Sequence, residues 1–216
     1  LADTQFGYSS AGKAVIPASV WTEELRGTNA LGTCLRTRKP VQVYGGEHYL
    51  RVHSDVSCIS APIFDGKGNL AGLLDASCRS TIRQQHTAAL VQMSAGNIEN
   101  SLIRNSHDNC VIIQFHPRQE YLTTLSAGLL VLDETFRVVA ANRRGNAFIS
   151  SEKDLIGKHF DELFDNNIES LIQHLATGEV LRVRDSVGSA VSIRCVANKA
   201  AFALARMSLS GAELPN

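Results

Sequence analysis

The sequence predicts an α+β fold in two domains, each an antiparallel sheet flanked by helices. Three observations lead there. Val56 to Phe64 and Leu70 to Ser77 are apolar strands joined by the Gly-containing turn DGKGN at 65–69, a hairpin pattern. From Thr81 to Arg104 the apolar residues switch to helical spacing. Beyond His116-Pro117 a second strand pair begins, GLLVLD (128–133) and RVVAAN (137–142), joined at Glu134-Thr135. A chain of 216 residues accommodates two domains of ordinary size. They are expected at 1–115 and 118–210.

The elements follow in order. Residues 1–20 are rich in Gly, Ser and Ala with weak periodicity and read as loop. Gly27 ends the segment after Trp21, and Thr28 or Asn29 is placed to cap a helix from about Thr28 to Arg36. That helix must stop before Lys39-Pro40, because proline disfavours helical geometry in the residue before it. Val41 to Tyr44 is a short strand broken by Gly45-Gly46, and EHYLRVHSD (47–55) mixes polar and aromatic residues as a cavity-bordering loop does. In the long helix, Ala88, Val91, Ala95, Ile98 and Leu102 form a 3-4-3-4 seam. Such a seam fits either packing on the first sheet or a dimer contact, since two heptads are too few to choose. CVIIQF (110–115) is expected to close the first domain as a strand.

The second domain is expected to open with a helix over 118–126. After the hairpin comes an amphipathic helix over 165–177, with Ile168, Leu171, Ile172 and Leu175 on one face and Gly178 as its stop. LRVR (181–184) and VSIRC (191–195) alternate apolar and polar residues as half-buried strands do. AAFALARMSL (200–209) reads as a central strand.

Composition removes several function classes. Formal net charge is zero and no basic run occurs, so the footprint of a nucleic-acid binder is missing. No apolar run approaches a membrane span, and the amino end is not a signal peptide. The five cysteines are scattered and form no CxxC pair, the pattern of reduced thiols in a cytoplasmic protein. The chain starts at Leu1 and ends in a polar SGAELPN tail, as a piece of something longer would.

Chemistry-bearing candidates concentrate in WTEELRGTNALGT (21–33). The helix start near Thr28 and Asn29 offers backbone N–H groups to a small anion or oxygenated molecule. Gly27 to Gly32 has the spacing of the first half of a P-loop, but Thr33-Cys34 replaces the Lys-Ser/Thr that would hold phosphate and metal, which excludes nucleotide hydrolysis. His48 and His53 lie five apart beside Glu47 without HExxH or finger spacing, so no metal is expected. Cys58 has no base beside it and reads as an inert thiol. In the second half, Asn142 reads as a helix cap. His174 reads as an edge histidine, and no cofactor is expected.

WTEELRGTNALGT, GGEHYLRV (45–52) and CISAPIFDGKGNLAGLLDAS (58–77), in that order, resemble the GAF sensor domain of bacterial enhancer-binding transcriptional activators. Among these the regulators of acetoin and of glycerol/dihydroxyacetone catabolism, which work with sigma-54 RNA polymerase, are most similar. GLLVLDETFRVVAAN (128–142) and DLIGKHFDELF (154–164) resemble the opening of a PAS domain. The resemblance implies a GAF domain lacking its amino-terminal helix and strand, followed by a PAS domain. It implies a non-enzymatic sensing module that binds a small-molecule effector or a partner protein; a homodimer is expected from the helical seam. Polymerase and DNA would be contacted only through downstream domains. Two other outputs share GAF–PAS inputs, histidine kinases and cyclic-nucleotide enzymes; a GAF-type methionine sulfoxide reductase is a further alternative. The effector site is expected to draw on Trp21, Glu23, Thr28, Asn29, His48 and Tyr49. Core packing competes with that role at Trp21, and capping competes at Thr28 and Asn29.

Overall fold

The computed structural model describes residues 16–79, 84–149, 155–165, 168–177, 179–196 and 203. Backbone contacts divide the chain into two compact units. The first takes residues up to Ile63 and Leu70–Ile98; the second takes Phe64–Asn69 and everything from Glu99.

In the first unit α1 (Glu23–Arg26) ends at Gly27, and α2 (Ala30–Thr37) starts one turn later. Gly27 holds φ at 63°, and a Cβ there would lie 2.4 Å from Tyr49, so the position demands glycine on both counts. Asn29 is the N-cap of α2: its Oδ1 accepts the Gly32 N–H at 2.8 Å. The helix ends at Thr37, ahead of the proline, with Arg38 in the left-handed region at φ 54°.

β1 (Val41–Tyr44), β2 (Ser57–Phe64) and β3 (Leu70–Cys78) form a three-stranded sheet in that order. β1 pairs antiparallel with β2, Val43 opposite Cys58. The hairpin expected at 65–69 is present, built as an Asx turn in which Asp65 Oδ1 accepts the N–H groups of Lys67 and Asn69 at 2.9 and 2.8 Å.

The long helix is α3 (Gln85–Asn105). Ala88, Val91 and Ala95 are buried against Ile59, Ala61 and Ile63 of β2, so this part of the seam packs on its own sheet. Ile98 and Leu102 do not continue it as a buried stripe, being 37% and 41% exposed. The buried positions after Ala95 are Glu99 and Ile103 instead, spaced by four residues as the 3.6-residue period drifts from a strict heptad.

The second unit is built on a five-stranded antiparallel sheet. Its strands are β4 (Val111–His116), β5 (Gly128–Leu132), β6 (Val138–Ala141), β7 (Leu181–Arg184) and β8 (Ala190–Val196), in the order β6-β5-β4-β8-β7. This corrects the placement of 110–115 as the last strand of the first domain. Those residues occupy the centre of the second sheet, Ile113 standing opposite Leu130 on one side and Cys195 on the other. Val111, Ile112, Ile113 and Phe115 are buried, and a strand apolar on both faces satisfies its burial only at a central position. The strand expected over 200–209 falls almost wholly outside the described residues. A helix over 118–126 is not formed either; the segment holds only a 3-10 turn at Gln119–Tyr121.

Asn142 caps α4 (Arg143–Phe148) as expected, accepting the Gly145 N–H at 2.7 Å. α5 (Phe160–Leu163) and α6 (Ile168–Thr177) follow. Phe160, Leu163, Phe164, Leu171 and Ile172 join Ile113, Phe115, Leu130 and Ile193 in the main core. Burying each such side chain contributes about 1.5–3 kcal/mol. β7 alternates buried and exposed residues as predicted.

Candidate functional site

The site is a cavity in the first unit, bordered by the start of α2, the loop after β1, and the facing ends of β2 and β3. Trp21, Asn29, His48, His53, Cys58 and Asp75 are among its walls. Its volume is about 10 Å³, room for about one water molecule, so a larger guest enters only if the walls move.

Each side chain arrives by a local cause. The 3-10 turn at Gly45–Glu47 follows β1 and delivers His48, whose Nδ1 lies 3.1 Å from the Gly45 carbonyl. A carbonyl only accepts, so Nδ1 carries the proton and Nε2 is left as an acceptor. The next 3-10 turn, Arg51–His53, carries His53 against Trp21, ring centroids 5.5 Å apart. Both histidines are about 95% buried (5% and 4% exposed). On β3 the two-residue period puts Asp75 and Ser77 on one face. The Ser77 hydroxyl donates to Asp75 Oδ2 at 2.7 Å and sits 3.2 Å from Cys58 Sγ.

Four buried polar atoms of these cavity residues have no hydrogen-bond partner among the described residues: His48 Nε2, both ring nitrogens of His53, and Asp75 Oδ1. Unpaired buried polar groups cost stability, and a cluster of them at one cavity calls for an account. The electrostatics agree. Burial, with His48 and Arg26 nearby, lowers the basicity of His53 below the ordinary value of 6.5. Burial pushes the Asp75 carboxyl up to about 6 and the Cys58 thiol up to about 11. Among the described residues no three His, Cys, Asp or Glu side chains are grouped to hold a metal ion.

The six residues expected to ring the effector separate into two groups. Trp21, Asn29 and His48 border the cavity. Glu23, Thr28 and Tyr49 line an open surface groove instead. Glu23 is held by the Thr33 hydroxyl and by Arg36, which keep its carboxyl below the usual range. Tyr49 is 74% exposed, because its ring leans over Gly27 rather than inward. Within the first group, Trp21 spends its indole N–H on Ser19 Oγ at 3.0 Å. Asn29 spends Oδ1 on Gly32 and donates to the Gly27 carbonyl at 2.8 Å, so both read first as structural.

Sequence reading missed His53, weighed only as half of a metal pair, and Asp75 and Ser77, read only as strand. The signal for Asp75 was present: a carboxylate inside the otherwise apolar run LAGLLDAS. His174, in the second unit, lies with Nδ1 2.7 Å from the Ser170 carbonyl of its own helix.

The first unit belongs to a known class: residues 3–102 match the family model of the GAF domain, so the chain contains a GAF domain. Its relatives include transcriptional regulators. The chain is 30% identical over 161 residues to the acetoin catabolism regulatory protein of Cupriavidus necator, covering 70% of this chain and 24% of that one. It is 34% identical over 93 residues to the acetoin dehydrogenase operon transcriptional activator AcoR of Bacillus subtilis, covering 43% and 15%. It therefore spans about a quarter or less of these regulators' length. A solved chain from the crystal structure of the E. coli DhaR(N)-DhaL complex is 15% identical, with a TM-score of 0.45 over 91% of this chain and 74% of its own. Among the described residues no helix is long and apolar enough to cross a membrane.

Proposed function

We propose that this chain is the signal-sensing region of a bacterial sigma-54-dependent transcriptional activator, and that the GAF cavity receives a small polar effector such as a hydroxyketone or polyol. The observation that carries the reading is the cluster of unpartnered buried atoms on His48, His53 and Asp75 at one cavity. Left unpaired, those groups cost free energy; an effector that hydrogen-bonds them offsets that cost and shifts the population of the bound conformation. The acetoin regulators among the relatives point to the same class of molecule.

In this reading the chain performs no catalysis and works in the cytoplasm, while an ATPase and DNA-binding region beyond it provides the output. The second unit is a PAS domain, a reading supported by its five-stranded antiparallel sheet with short helices between β6 and β7. Self-association uses the side of α3 turned away from the sheet, where Leu90 and Met93 are 62% and 55% exposed.

The test is calorimetry of the chain against acetoin, dihydroxyacetone, glycerol and simple phenols, with His48→Ala and His53→Ala as controls. Saturable binding weakened roughly five- to twentyfold by either variant, with the melting transition retained, is the expected result. Absence of binding across the panel would transfer sensing to protein contacts.

A further inference from the structure

We propose that the second unit carries an anion site of its own, an open groove that takes the carboxylate of a small monoanionic organic molecule. The groove has a volume of about 610 Å³, within the range of small-molecule sites, and its walls include Arg118, Gln119, Glu120, Arg182 and Ser192.

Sheet register brings these residues together. Arg182 on β7 stands opposite Ser192 on β8, and Ser192 stands opposite His116 on β4. Residues paired across strands share a face, and the alternate residues Leu181, Val183, Val191 and Ile193 belong to the main core. The row of Arg182, Ser192 and His116 therefore faces away from that core. His116 also holds the turn that follows β4. Its Nδ1 accepts the Arg118 N–H at 2.9 Å, and its ring lies 5.1 Å from the rings of both Tyr121 and Phe148. The backbone that carries Arg118 is thereby fixed beside the row.

The polar groups of the groove are available to a ligand. Among the described residues the Arg118 guanidinium has no hydrogen-bond or carboxylate partner, and Arg182 has only Gln119 Oε1, at 3.5 Å. Ser192 is 5% exposed, and its hydroxyl bonds to no described residue. Elsewhere in the unit Arg137 and Arg184 donate to the Gly157 and Gly188 carbonyls, each at 2.9 Å, and Arg143 pairs with Glu99 at 3.2 Å.

Chemistry selects the ligand class. A guanidinium forks onto a carboxylate through paired N–H donors, and a serine hydroxyl donates to the same oxygens. Arg118 and Arg182 set against Glu120 leave one net positive charge in the groove. That balance suits a single carboxylate and disfavours a polyanion such as phosphate.

The test is an NMR titration of the 216-residue chain at low ionic strength with benzoate, its neutral counterpart benzamide, and inorganic phosphate. Benzoate is expected to shift the Arg118 and Arg182 Nε–H signals and the Ser192 amide saturably, while benzamide leaves them in place. Arg118→Gln and Arg182→Gln should each weaken benzoate about two- to fivefold, as loss of an exposed ion pair does. Both side chains are exposed, so the signals of the sheet should stay unchanged in the variants. Glu120→Gln should tighten benzoate and raise phosphate affinity relative to it. Benzamide binding as well as benzoate would show an apolar groove, and phosphate binding as tightly would show a non-specific basic patch. Benzoate affinity unchanged in both arginine variants would move the anion elsewhere. Each of these results, like the absence of saturable shifts with benzoate, overturns the proposal.

Discussion

Trp21 and His53 stack at 5.5 Å between ring centroids, tilted by 39°, at the border of the GAF cavity. One residue precedes the first helix and the other closes the second 3-10 turn, so the pair ties two loops together across the site. Trp21 is the single tryptophan of the chain, which makes its fluorescence a reporter of this contact.

An imidazolium quenches indole emission more than a neutral ring does. Emission should therefore drop on acidification with a midpoint below 6.5, since burial lowers the basicity of His53. The sign for stability follows: the unfolded chain takes up the proton first, so the His53 contribution holds above pH 6.5 and is lost as pH falls. His53→Gln should remove the fluorescence step. A midpoint at or above 6.5 would mean His53 is not desolvated.

Asp75 works in the opposite direction. Its carboxyl is raised from 3.8 to about 6, so the folded state holds the proton more tightly than the unfolded state between those values. Its contribution is complete below pH 3.8 and declines as pH rises through about 6. Asp75→Asn should stabilise the fold at pH 7.5 by up to about 3 kcal/mol, read by chemical denaturation, and change its stability little at pH 4. Equal gains at both pH values would refute the assignment. A gain in stability with a loss of effector binding is the trade expected at a binding site.

Asn29→Ala removes the N-cap of α2 and the bond to Gly27 together. Chemical denaturation should show a loss of about 1–2 kcal/mol. Asn29→Asp retains the acceptor for Gly32 and should recover most of it. A variant of full stability would show that the cap is dispensable.

Asn142 is more heavily engaged. Its Oδ1 accepts from Gly145 at 2.7 Å and Leu129 at 2.9 Å, and Nδ2 donates to Asn100 at 2.9 Å. Asn142→Ala should cost more than Asn29→Ala, about 2–4 kcal/mol, because several buried groups lose partners at once. Denaturation of the two variants side by side tests the ranking.

For α3, Val91→Glu should unfold the first unit rather than dissociate a dimer, since Val91 is buried against the sheet. Leu90→Glu with Met93→Glu should leave the fold intact and convert a dimer to a monomer in sedimentation. A wild-type monomer would end the idea of self-association through this helix.

The sequence by itself determined the elements whose cause is local. Strand β1, the Asp65 hairpin and the Asn142 cap were legible, and the cap of α2 was narrowed to Thr28 or Asn29, because turn and capping residues act on neighbours within four positions. The GAF motifs carried the class of the first unit. Only the tertiary structure decided the rest. Residues 111–116 are an apolar run that suits either sheet, and pairing with both 128–132 and 190–196 settles them in the second. The site shows the same division. His48 and His53 share one loop, but Asp75 comes from a strand well beyond it, and no local pattern marks which polar atoms are left without partners. Their convergence on one cavity comes from sheet register and two 3-10 turns, which sequence periodicity does not encode.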